Sequence, residues 1–114
     1  MGMKKMAEEK VKKIEWKGDT KYELEIYNEN EIGVYKYVYP LKSQGYYNYF
    51  AFGIYYNLQE GELTLTYFSD SWNGSGIHYK KYRKVPGLDV SEIAKMKLRN
   101  AFEYLYSFFN EDEC

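Results

Sequence analysis

The chain has 114 residues and a mass of 13.7 kDa; it is 45% apolar and 29% charged, with a formal net charge of −1. That length predicts one domain, residues 1–114, able to bury a real core, and no run of about 18 apolar residues offers a membrane-spanning helix. A charge this neutral, with Arg83 and Arg99 as its two arginines, argues against a dedicated reader of duplex DNA.

The first nine residues carry charges without the apolar stretch of a secretory signal. Cys114 is the single cysteine, so an intramolecular disulfide is impossible and a cytoplasmic location is expected. Met3, Met6, Ala7, Val11 and Ile14 recur at helical steps, which predicts a short helix over Met3–Ile14. Lys17-Gly18-Asp19 is a turn signal.

Strands follow. From Tyr22 to Tyr27, Tyr22, Leu24 and Ile26 alternate with Glu23, Glu25 and Tyr27, the pattern of a half-buried strand. Asn28–Glu31 is a polar turn. The second strand, Ile32–Leu41, sets Ile32, Val34, Lys36 and Val38 on one face and Tyr35, Tyr37 and Tyr39 on the other, and Pro40 marks its end. The third, Tyr46–Leu58, has Phe50, Phe52, Ile54 and Leu58 on a core face. Its opposite face carries Tyr47, Tyr49 and Tyr55 around Ala51 and Gly53. A fourth strand spans Leu63–Phe68. Asn73-Gly74 is a hairpin signal, and the fifth strand, Ile77–Val85, is basic until Pro86-Gly87 breaks it.

Asp89 three residues before Glu92 predicts a capped helix start. Ala94, Leu98, Ala101, Leu105 and Phe108, widened by Phe102 and Phe109, form an apolar stripe of about five to six turns. The expected architecture is α+β: a five-stranded antiparallel meander, a short N-terminal helix, and a long amphipathic C-terminal helix packed on one face.

Catalytic chemistry finds little support in these residues. His78 is the sole histidine and has no Cys, Asp or Ser at a suggestive spacing. Metal sites need several ligands, and no glycine-rich loop opens a helix in the phosphate-cradling pattern. A non-enzymatic protein with no metal and no cofactor is expected.

Tyrosine is the informative residue: 15 of 114. Each carries a flat apolar ring with one polar tip, which suits a half-wet surface. Tyr35, Tyr37, Tyr47, Tyr49, Tyr55 and Phe68 would form a stacking face for unpaired bases. His78, Lys80, Lys81, Arg83 and Lys84, interleaved with Tyr79 and Tyr82, would meet phosphates. The competing explanations are a buried second face and an edge strand guarded by lysines. Trp72, at a loop tip, is a candidate anchor. In element order over Tyr22–Phe109, strands of a curved antiparallel sheet followed by a long helix, the chain resembles the Whirly and PUR single-strand binders; that resemblance is one of fold and assigns no family.

Three readings follow. The first is a small module that binds single-stranded nucleic acid on the tyrosine-rich face. The second is a virus- or plasmid-encoded protein that binds and inhibits a host defence protein, an origin that suits the AT-rich codons of Lys, Tyr, Asn, Ile and Phe. The third is a homo-oligomer, such as a homodimer, joined through the tyrosine face.

Overall fold

The computed structural model describes residues 11–39, 49–71 and 74–110. Within them run β1 (Val11–Lys17), β2 (Thr20–Asn28), β3 (Glu31–Val38), β4 (Tyr49–Asn57), β5 (Glu62–Ser71), β6 (Gly74–Lys84), α1 (Val90–Lys95) and α2 (Leu98–Asn110). The strands form one antiparallel sheet in the order β1-β2-β3-β4-β5-β6. The antiparallel sheet with a C-terminal helix is as expected, but the sheet has six strands, not five.

The added strand is β1, and it corrects the expected N-terminal helix. Val11–Ile14 belongs to a strand paired with β2 from Val11↔Ile26 to Lys17↔Thr20; Met3–Lys10 lie outside the described residues. The reason is local. Gly18, with φ of 63°, and Asp19 form a two-residue hairpin loop, and such loops demand a strand on each side. Val11 and Ile14 happen to stand three apart, which imitates a helical step. All seven residues of β1 are exposed, so no buried alternation betrays the strand.

The strands read from alternation keep their faces. Leu24, Val34, Ile54 and Leu65 lie opposite one another across four strands and are at most 1% exposed. Tyr22, Ile32, Tyr56 and Leu63 extend this layer. The helices close it with Val90 and Ile93 of α1 and with Leu98, Ala101, Phe102, Leu105 and Phe109 of α2. Each fully buried aliphatic side chain contributes about 1.5–3 kcal/mol, so this helix-side layer is what makes the fold stable.

The C-terminal segment is two helices where the stripe predicts one. Asp89 caps α1 as expected, its carboxylate accepting from the N–H groups of Ser91 and Glu92 at 3.0 and 3.4 Å. Met96 is then extended, with φ of −76° and ψ of 159°. No proline or glycine stands at this break. On either side of it both helices reach the same core, and the Ala94 carbonyl near the end of α1 accepts from Lys13 Nζ at 3.2 Å. The entry to α1 is held from below: the Tyr56 hydroxyl accepts from the Leu88 N–H at 2.9 Å.

Tyr56 is fully buried, so Tyr56→Phe strands the Leu88 N–H. The expected loss is about 1–2 kcal/mol, read as a lower urea midpoint with an unchanged slope.

Candidate functional site

Both described helices lie on one side of the sheet. Alternation along each strand assigns the other side to Lys12, Ile14 and Trp16 of β1, Lys21, Glu23 and Glu25 of β2, Tyr35 and Tyr37 of β3, Tyr49 and Tyr55 of β4, Thr64, Thr66 and Phe68 of β5, and Lys80, Tyr82 and Lys84 of β6. This is a tyrosine-rich surface. Among the described residues no helix covers it, and its rings are partly exposed.

A contiguous aromatic band crosses one end of this face. Ring centroids lie 5.7 Å apart for Trp16–Tyr39, 5.3 Å for Tyr39–Tyr49, 5.7 Å for Tyr37–Tyr49 and 6.2 Å for Tyr49–Phe68. These separations suit favourable aromatic pairs. Lys21 Nζ stands 4.7 Å from the Tyr37 ring centroid and 6.0 Å from that of Trp16, close enough for cation–π attraction.

Tyr35 lies across the middle of the face. A Cβ placed on Gly33 would come within 2.6 Å of the Tyr35 hydroxyl, and one placed on Gly53 within 2.9 Å of the Tyr35 ring. The two glycines are therefore the floor on which this ring rests. Register explains the fit: Gly53 is directly opposite Tyr35, and Gly33 is two residues before it on the same strand. The ring substitutes for the missing side chains. Its hydroxyl is 2.7 Å from that of Tyr27, which donates to Glu25 Oε1 at 2.6 Å.

Charge at the β1–β2 end of the face is paired. Glu23 is 5% exposed and sits 2.8 Å from Lys12 and 3.9 Å from Lys21. That contact, first through the hydrogen bond and then through Coulomb attraction, raises the Lys12 pKa. Burial and then the Glu25 hydrogen bond push the Tyr27 phenol well up, and burial followed by Glu23 does the same for Tyr37. Burial, then a hydrogen bond with Glu31, pushes Tyr55 up to about 12. The face thus presents neutral phenols at physiological pH: rings for stacking and hydroxyls for hydrogen bonds.

The residues singled out from the sequence divide between surfaces. Tyr35, Tyr37, Tyr49, Tyr55 and Phe68 share the open face, with Lys80 and Lys84 at its β6 margin. Lys84 Nζ donates to the Glu60 carbonyl at 3.3 Å. Lys81 and Arg83 lie opposite Leu65 and Leu63, on the helix side. A shift in register between Tyr67 and Phe68 makes His78 the extra residue of β6. Its Nε2 is 2.7 Å from Ser69 Oγ, and its ring is 5.3 Å from that of Tyr67. Tyr47 and Trp72 lie outside the described residues. Trp16 and Lys21 have no signal in the sequence, since Trp16 lies beyond the helix expected over Met3–Ile14 and a lysine in a strand has no signature of its own; Lys12 falls inside that expected helix, where the structure has β1.

Among the described residues, hollows open beside α2. One, of 260 Å³, is lined by Glu15, Trp16, Tyr22, Lys97, Arg99 and neighbours; the other, of 270 Å³, is lined by Lys36, Phe52, Phe102, Glu103 and Tyr106. Both fall below the roughly 300–1,000 Å³ of ordinary small-molecule sites. Among the described residues no cluster of three or more His, Cys, Asp or Glu could hold a metal, and no helix is long and apolar enough to cross a membrane. Comparison with family models, curated proteins and solved structures finds no match to this chain.

Two outcomes test this geometry. Gly53→Val drives a side chain into the Tyr35 ring and should lower stability by about 1–3 kcal/mol. In a Tyr35→Ala background the same change should be close to neutral, which a double-mutant cycle in urea would read; an equal penalty in both backgrounds would exonerate the ring. The second concerns pH. Unfolded tyrosine titrates near pH 10, while Tyr37 and Tyr55 hold their protons above that in the folded chain. Their contribution to stability is complete below about pH 10 and is lost as pH rises toward the folded values. Urea midpoints should fall through this window, with phenolate absorbance growing in step with unfolding; a flat profile would contradict the burial of these phenols.

Proposed function

We propose that this protein binds single-stranded nucleic acid on the open aromatic face of its sheet. The observation that carries the reading is the unbroken band Trp16, Tyr39, Tyr37, Tyr49 and Phe68, with Lys21 beside it. Every base has a π-face, so a row of rings binds unpaired bases without reading sequence, and nearby ammonium groups attract the backbone. The Tyr35 ring, held against Gly33 and Gly53, adds a platform fixed before any ligand arrives. Lys80 and Lys84, on the same face, would meet phosphates.

The charge balance favours a second reading. Lys12 and Lys21 are offset by Glu23 and Glu25, whereas a phosphate-binding face gains from a net positive charge. Docking of a protein, such as the host defence protein of an invading element, uses aromatic anchors without such an excess.

Fluorescence anisotropy with labelled single-stranded oligonucleotides separates the two. Nucleic-acid binding should weaken as salt rises, and Tyr37→Ala or Tyr49→Ala should each remove about 1–3 kcal/mol, roughly a 5- to 150-fold loss of affinity. Tyr104→Ala, on the exposed side of α2, should leave it unchanged. No binding tighter than about millimolar at low salt would end the nucleic-acid reading, and recovery of a stoichiometric protein from host lysate on the wild-type chain but not on Tyr49→Ala would favour the other.

A further inference from the structure

Both edges of the sheet carry lysines, in different patterns. β6 carries Lys80, Lys81, Arg83 and Lys84 within its last five residues. A basic edge of that kind discourages another strand from pairing with it. β1 is the other edge, bonded only to β2 among the described residues. It is seven residues long and exposed throughout, and it shows Val11, Ile14 and Trp16 to solvent at 45%, 51% and 48%. β1 is charged as well, with Lys12, Lys13 and Lys17 among its seven residues, so it is a template only for a strand whose charges answer its own.

The sequence of β1 says what it is a template for. A two-fold axis perpendicular to the sheet keeps each face on its own side and pairs edge strands antiparallel around one central residue. Centred on Ile14, Val-Lys-Lys-Ile-Glu-Trp-Lys meets its own copy with all seven residues in register. Lys13 then lies opposite Glu15 of the second copy, and Glu15 opposite its Lys13. On the open face Ile14 meets Ile14, flanked twice by Lys12 against Trp16, an ammonium beside an indole. Moving the centre to Lys13 sets lysine against lysine. Moving it to Glu15 sets glutamate against glutamate and Lys13 against Lys17. Like charges directly opposite are destabilising in a sheet, so the charge pattern selects the register that also pairs the whole strand.

We propose that two copies of this chain join edge to edge through β1, antiparallel and centred on Ile14. The product is one twelve-stranded sheet, six strands from each copy, with the helices on one side and both aromatic bands on the other. Lys13 is already steered to the helix side by donating to the Ala94 carbonyl at 3.2 Å, and an ammonium has two further N–H groups for the incoming Glu15. Pairing of β1 with β6 would be head-to-tail and would grow a fibre; it would set the lysines of β1 against the basic row of β6. The proposal is independent of what the aromatic face binds.

Light scattering on a sizing column tests it, at concentrations up to about 300 µM so that even a micromolar Kd is saturated. Wild type should run at twice the 13.7 kDa chain mass. Glu15→Lys and Lys13→Glu should each weaken the dimer by at least about tenfold, because like charges then face each other. The double variant Lys13→Glu/Glu15→Lys should restore it, since the exchanged charges are again opposite. Circular dichroism and thermal melts confirm that each variant is folded. A wild-type chain that stays at one chain mass at the highest concentration overturns the proposal. So does a dimer that Glu15→Lys leaves intact, or a folded double variant that remains a monomer.

Discussion

A six-stranded sheet has two faces, and here the described helices cover one. That imbalance governs the molecule. The helix side solves its problem in the ordinary way, with Leu24, Val34, Ile54 and Leu65 sealed beneath Ala101, Phe102 and Leu105. The other side has to be stable while wet. It uses side chains that tolerate both conditions, rings with polar tips, and lays one of them, Tyr35, across two glycines so that the face is closed by its own strand. The Tyr35–Tyr27–Glu25 chain then fixes that ring from its hydroxyl end.

The same solution orders the face in advance. Rings that touch each other and the backbone lose little freedom when a ligand arrives, so a flat partner meets surface already ordered. Buried Glu23 explains why the lysines here are held rather than loose: Lys12 and Lys21 both converge on it, at 2.8 and 3.9 Å. The face is therefore aromatic and nearly neutral, not a cationic groove.

How far this was legible depends on whether a residue's partner lies nearby in the chain. Tyr22–Tyr27, Ile32–Tyr39 and Tyr49–Leu58 alternate because one face is buried, so their faces could be read directly. Asp89 declares its helix start within three residues. β1 could not be read this way, since an edge strand exposed on both faces has no reason to alternate. The break at Met96 was also hidden: nothing local stops a helix there, and the helices on its two sides pack on a sheet whose first strand begins 85 positions earlier. Lys12 and Lys21 became part of the site only because β2 carries Glu23 between them.

By itself the sequence determined that the fold is α+β, that strands alternate apolar and aromatic faces, and that tyrosine would dominate one surface. These are matters of period and composition, which each segment expresses alone. The tertiary structure alone decided that Trp16, Tyr39, Tyr37, Tyr49 and Phe68 form one band, that Tyr35 rests on Gly33 and Gly53, and that the basic residues of β6 part to opposite sides. Those facts are set by cross-strand register, and register is a property of paired strands that no single strand contains.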